Sequence, residues 1–216
     1  MPAAFVGQAN AATSSTTLLA AIPGHAAGHL LLLLVQTNES ATPNPVDLTG
    51  WSSLISVQYG AGNHFLYARI ADGSEPATIS ITLTGAKASS LCLAYSGVSY
   101  RSSSGVSPSV NRATCTLGAF TAPQGDGFRL TVAGYSAVGT RNISSWGTLP
   151  VGTIRSYHST SGDAGFWINE DPLSDGPTNN STDTITFVDS PVAIKTYSLH
   201  IAANPAGGGL LFGTNF

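Results

Sequence analysis

The feature that most restricts the fold of this chain is a side-chain repeat of two. It runs through Ile79-Ser80-Ile81-Thr82-Leu83, Leu91-Cys92-Leu93-Ala94-Tyr95, Leu130-Thr131-Val132, Ile185-Thr186-Phe187 and Tyr197-Ser198-Leu199-His200-Ile201. Alternate residues of a strand point to opposite faces, so each run fits a strand with one buried side. Between the runs stand turn-forming clusters: Thr42-Pro43-Asn44-Pro45, Asp72-Gly73-Ser74-Glu75-Pro76 and Asp175-Gly176-Pro177-Thr178-Asn179-Asn180. Gly, Pro, Asn and Asp supply the backbone angles of turns, and no window sustains the three-and-four spacing of an amphipathic helix. The pattern predicts an all-β fold, an antiparallel β-sandwich of jelly-roll-like architecture.

The run Leu30-Leu31-Leu32-Leu33-Leu34-Val35 is apolar at every position. It reads as a central strand with one face in the main core and the other under a loop or partner, with a buried helix as the alternative. Six residues are too few to cross a bilayer as a helix. The amino-terminal residues show no basic stretch leading into an apolar one, so no secretory signal is visible and no membrane association is expected.

The order of motifs occurs twice. Gly28-His29-Leu30-Leu31-Leu32 leads to Trp51-Ser52-Ser53-Leu54, then Phe65-Leu66-Tyr67, the strand around Ile81, and Leu91 to Tyr95. Gly127-Phe128-Arg129-Leu130-Thr131 leads likewise to Trp146-Gly147-Thr148-Leu149, Phe166-Trp167-Ile168, the strand around Ile185, and Tyr197 to Ile201. This predicts an internally duplicated domain over residues 1–204, with repeats at about 5–110 and 111–204. The expected packing is face to face, with Trp51 and Trp146 as anchors at opposite ends of one continuous core.

Charge then removes several functional classes. Only 9% of residues are charged and the net charge is -3, with no basic cluster. Phosphate binding needs several Lys or Arg on one face, so no nucleic-acid partner is expected. The five histidines, His25, His29, His64, His158 and His200, form no recognisable pairing with a nucleophile, and no Gly-x-Ser-x-Gly elbow is present. The densest acidic segment, Glu170-Asp171 with Asp175, could supply a glycosidase pair or a calcium site, but reads more simply as solvated turn residues. Zinc and phosphate-loop spacings are missing, so the chain is expected to be no enzyme and to need no metal or cofactor. Cys92 and Cys115 read as buried thiols, with a disulfide between them left open. Tyr100, Tyr157 and Trp167 are the candidates for stacking on a sugar, although Trp51, Trp146 and Trp167 lie on or beside strand patterns and read most simply as core residues.

The segment 205–216 departs from all this. Pro205-Ala206-Gly207-Gly208-Gly209 precedes the apolar Leu210-Leu211-Phe212-Gly213-Thr214-Asn215-Phe216, which continues none of the preceding strand patterns. Leu210, Leu211, Phe212 and Phe216 are the expected interface residues, docking on a neighbouring copy or on their own domain.

Several motifs together resemble a domain found in bacteriophage structural proteins. They are Phe5-Val6-Gly7, Gly28-His29-Leu30-Leu31-Leu32, Gly50-Trp51-Ser52-Ser53-Leu54, Phe65 to Arg69, Asp72 to Pro76 and Tyr95-Ser96-Gly97-Val98. His29 stands where that family usually has Asp. The resemblance implies a virion-associated β-sandwich made in the host cytoplasm. A capsid decoration or cement protein is the expected role, placed on the capsid exterior, its partners the major capsid protein and further copies of itself, plausibly as a trimer. The alternative is a tail or baseplate component that binds host surface glycan.

Overall fold

The structure is a computed structural model that describes residues 2–38, 42–59, 62–104, 107–110, 113–117, 120–122, 127–136, 142–147, 152–159, 164–173, 178–180, 183–188 and 193–204. Over these the fold is an all-β sandwich. The first half of the chain forms β1 (Ala4–Thr13), β2 (Thr17–Ala21), β3 (Leu30–Asn38), β4 (Ser52–Tyr59), β5 (Gly62–Ile70), β6 (Thr78–Thr82) and β7 (Ala88–Ser96). The second half forms β8 (Val98–Ser103), β9 (Ser107–Val110), β10 (Thr114–Leu117), β11 (Phe120–Ala122), β12 (Gly127–Ser136), β13 (Ile143–Ser145), β14 (Thr153–Ser159), β15 (Ala164–Leu173), β16 (Thr178–Asn180), β17 (Asp183–Phe187) and β18 (Ala193–Ala203).

Each half is a long hairpin rolled upon itself, with its strand pairs nested. In the first, β1 pairs with β7, β2 with β6, and β3 with β5, all antiparallel. In the second, β8 and β9 pair with β18, β10 with β17, β11 with β16, and β12 with β15. Nesting of this kind is the jelly-roll arrangement. The main sheets have corresponding orders, β1-β7-β3-β5-β4 in the first half and β8-β18-β12-β15-β14 in the second. The motif order that occurs twice in the sequence therefore becomes one strand order built twice.

The two main sheets face each other across a shared core. Leu30, Leu32, Leu34, Leu66, Leu91, Leu93 and Tyr95 from one meet Leu130, Val132, Phe166, Ile168, Tyr197, Leu199 and Ile201 from the other. The other face of β3 is equally apolar, as the Leu30–Val35 run requires: Leu31, Leu33 and Val35 pack with Phe65, Tyr67 and Cys92 under Leu18, Ala20 and Ile81 of the β2·β6 pair. The outer face of the second sheet has a cover of its own, where Ala133, Tyr135 and Ile194 meet Cys115, Leu117, Ile185 and Phe187. Burying apolar area at about 25 cal/mol per Å² drives all three layers together.

This corrects the expectation of one continuous core plugged at both ends by tryptophan. Trp51 is half-buried against the outer cluster of the first sheet, and Trp146 is buried in the outer cluster of the second. The two anchors lie on opposite outer sides of the sandwich, and the central core contains neither. The physical reason is that a sheet apolar on both faces needs two covers, so each half carries its own outer layer. Trp51 reaches its place through the short 3-10 turn Pro45–Leu48, where the Asn44 side chain accepts from the Val46 N–H at 3.2 Å and the Trp51 N–H donates to the Leu48 carbonyl at 3.0 Å.

Candidate functional site

The space between the main sheets is apolar in the middle and polar at two places, and both polar groups tie one half of the chain to the other. The first forms around β5. His64 lies on the same face as Leu66 and Ala68, so strand parity drives its imidazole into the core, where it is fully buried. Its Nδ1 donates to Gln36 Oε1 at 3.0 Å, and its Nε2 accepts from the Tyr197 hydroxyl of the opposite sheet at 2.6 Å. Lys195, two residues before Tyr197 and on the same face, donates from Nζ to the Gly62 carbonyl across the sheets. Burial, with the Lys195 ammonium nearby, pushes His64 down to about 3, so the ring is neutral. Burial likewise lowers Lys195 to about 8.

Gly134 makes room for this group. A Cβ there would lie 2.6 Å from His64 Nδ1 and 2.9 Å from Gln36 Oε1, so any larger residue would collide with both partners of that bond.

The second polar group centres on Glu170 of β15, which shares a face with Phe166 and Ile168. Its carboxylate accepts from the Tyr95 hydroxyl of the other half at 2.6 Å, and from Arg155 Nε at 2.8 Å and a second Arg155 nitrogen at 2.7 Å. The bidentate fork fixes the guanidinium plane. That plane stacks over the Phe5 ring at 3.2 Å from its centroid, bringing β1 of the first half against β14 of the second. Burial, then the Glu170 charge, holds the Tyr95 hydroxyl well above the usual phenol range.

Glu170 and Asp171 therefore are not the solvated turn residues expected from sequence. They are successive residues of an interior strand and point to opposite faces, Glu170 to Arg155 and Asp171 to the nearly buried Arg129. Two carboxylates on opposite faces of one strand cannot act on a common substrate atom. Asp175 lies outside the described residues, as do Leu210, Leu211, Phe212 and Phe216.

The other histidines occupy separate places. His25 bridges the Pro23 carbonyl at 2.8 Å and Glu75 at 3.0 Å, and His29 accepts from the Ala26 N–H at 3.2 Å. His158 lies parallel to the Tyr135 ring, 5.9 Å between centroids. His200 is buried on the outer face of β18, level with Arg129 and Ser102, and its pKa is lowered by burial and by Arg101. Tyr100 and Tyr157 are half-buried against the central core and Trp167 against the outer cluster of the second sheet. Neither Cys92 nor Cys115 forms a disulfide; burial raises both thiols, and they belong to the outer clusters of opposite sheets. That separation rules out the disulfide that the sequence had left open. Among the described residues no group of three His, Cys, Asp or Glu is placed to hold a metal ion.

No family model, curated protein or solved structure matches this chain. The functional reading therefore stands on its residues and their geometry.

Sequence reasoning passed over Lys195, Arg155 and Arg129 as interior groups. The signal was in the parity: Lys195 alternates in phase with Tyr197, Leu199 and Ile201, and Glu170 with Phe166 and Ile168. A charged residue in phase with the buried face of a strand is an interior ion, and each must find a partner.

Proposed function

We propose that the chain is a non-enzymatic structural protein of a bacteriophage particle, most simply a decoration or cement protein that sits on the capsid exterior and stabilises contacts between shell subunits. One observation carries this reading: ionisable groups of the interior are used to lock the two jelly-roll halves together. Glu170 holds Tyr95 and Arg155, Lys195 reaches the Gly62 carbonyl, and His64 is fixed between Gln36 and Tyr197. Of the eight Lys and Arg in the sequence, Arg129, Arg155 and Lys195 lie in or beside the interior, and Arg69 is held by Asp72 and Glu75. The outer surface has correspondingly little charge, while side chains such as Val46, Val188 and Leu19 stand exposed. A weakly charged body suits tight packing on a protein lattice better than binding a charged ligand. The motif resemblance described above points the same way.

The test is the copy number in purified particles of the phage encoding the chain, by quantitative mass spectrometry against the major shell protein. A ratio near one supports decoration. A few copies per particle would move the chain to the tail, where binding to host glycan becomes the reading to test. Its absence from particles would overturn the virion reading.

A further inference from the structure

We propose that the outer face of the second main sheet binds a small monovalent anion of halide size between His200 of β18 and Ser102 of β8, with Arg101 supplying the balancing charge. The inference concerns the folded chain itself and holds wherever in a particle the protein is placed.

This outer face has two unlike ends. At one, Ala133, Tyr135 and Ile194 lie in an apolar cluster. At the other the face is polar yet just as dry, since Arg129, Thr131, Ser198 and His200 are each 2% exposed or less. The duplicated strand order supplies a comparison within the chain. Leu30 pairs with Tyr95 and Ile70 as Leu130 pairs with Leu199 and Glu170, so Leu31 and Ala94 of the first half correspond to Thr131 and Ser198 of the second. The first half buries its pair in an apolar cluster, whereas the second buries two hydroxyls, which bond to each other at 3.3 Å. The neighbouring row is Ser102, His200, Arg129 and Asp171, on β8, β18, β12 and β15. Arg129 is held by Asp171. Neither ring nitrogen of His200 has a partner among the described residues, and neither does the buried Oγ of Ser102 directly opposite. Buried polar groups are rarely left unpaired, and two such side chains facing each other across a strand pair point to one shared bound species.

Charge and size select that species. His200 pairs with Ser102 and Ile201 with Tyr100, so a register shift leaves Arg101 outside the ladder beside the same row. Arg101 is exposed and forms no ion pair among the described residues. Burial and then the Arg101 charge lower His200, so the two side chains are electrostatically close. Asp171 offsets Arg129 and leaves the Arg101 charge uncompensated, which favours an anion and disfavours a cation. A ring N–H, the Ser102 hydroxyl and a guanidinium are all donors suited to an anion. With His200 only 1% exposed there is no open mouth for a large polyatomic ligand. A halide is a single atom, and β8, the last strand of its sheet, gives it an entry beside Arg101.

The test compares thermal melts of the full chain at neutral pH in sodium chloride and in sodium methanesulfonate of equal ionic strength, so that screening is the same in both. Above its dissociation constant, chloride is expected to raise Tm by about 3 to 5 °C for each tenfold increase in concentration, with bromide acting alike and methanesulfonate giving no such rise. His200→Leu should abolish the difference between the salts, and Ser102→Ala should move it to higher chloride. The readout is that difference, so a change in basal stability of either variant leaves it interpretable, and Ser102→Ala decides if His200→Leu does not fold. Crystals grown in bromide should show its anomalous signal beside His200. Equal melts of the parent in the two salts at every concentration would mean that water alone meets these groups, and the proposal fails. It fails equally if the variants keep the full chloride effect, or if the bromide signal lies elsewhere.

Discussion

His64 is a neutral imidazole in the centre of the molecule, and its state makes stability depend on pH in a definite direction. Burial and the Lys195 charge lower it from an ordinary 6.5 to about 3, so between these values the unfolded chain binds the proton and the folded one does not. Stability from this residue is complete above pH 6.5 and is lost as pH falls toward 3. The urea midpoint of the parent is expected to drop steadily from pH 6.5 to 4, and more steeply than that of His64→Gln. An equal slope in both proteins would reject the assignment. Lys195 works in another window. Lowered from 10.5 to about 8 by burial, it costs the fold most below pH 8, and the cost fades as pH rises to 10.5. Lys195→Met is expected to be at least as stable as the parent at pH 7, since an apolar residue of similar length removes a buried charge. Its advantage should vanish in thermal melts above pH 10. These two residues also show where reading the sequence stopped. The alternation of Tyr197 to Ile201 was legible, but the strand begins earlier, at Ala193, and Lys195 falls in that extension, where its parity with Tyr197 was not followed back. His64 was visible only as one of five histidines, because its partners Gln36 and Tyr197 are 28 and 133 positions away.

At the level of elements, β15 joins the two halves through Glu170. Removing its carboxylate leaves Arg155 charged and the Tyr95 hydroxyl without its acceptor, both in largely dry surroundings. Glu170→Ala is expected to cost about 3 to 5 kcal/mol in chemical unfolding. Replacing the pair together, as Arg155→Met with Glu170→Leu, should recover most of that loss. If the double variant is as unstable as the single one, the ion pair is not the source of the cost. The strands themselves were largely legible: β3, β6, β7, β17 and β18 stand where alternation or a continuous apolar run placed them. The misreading at Glu170-Asp171 came from nearby Pro172 and Gly176, which suggested a loop although β15 continues to Leu173. Antiparallel partners on either side can carry a strand through residues that would end it in isolation, and Gly127 to Ser136 pair with this strand without a break.

Across the whole molecule, each main sheet presents a largely apolar inner surface that the other half covers. Neither half should be stable alone. Residues 1–97 and 98–216, expressed separately, are expected to be unfolded or aggregated, and to yield sandwich-like circular dichroism only when refolded together. A cooperative melt from either fragment by itself would show that the halves are independent. The repeated strand order was readable as repeated motifs. The three-layered distribution of apolar residues was not, because each sheet buries both its faces and a period of two cannot say which cover lies over which.

The nested pairing also fixes an order of events in time. Within each half the pair closest in sequence is joined by the shortest loop, β4 to β5 and β14 to β15, while β1 must wait for the distant β7 and β8 for the still more distant β18. Closing a longer loop costs more entropy, so assembly should proceed outward from the two inner hairpins like a zipper, with the outermost strands last. Synthesis makes β1 before the other strands of the sandwich, and that strand then has no partner until β7 emerges. The newborn chain thus exposes its least charged stretch until β7 has been made, and the yield of folded protein depends on how well that interval is protected from contact with other chains.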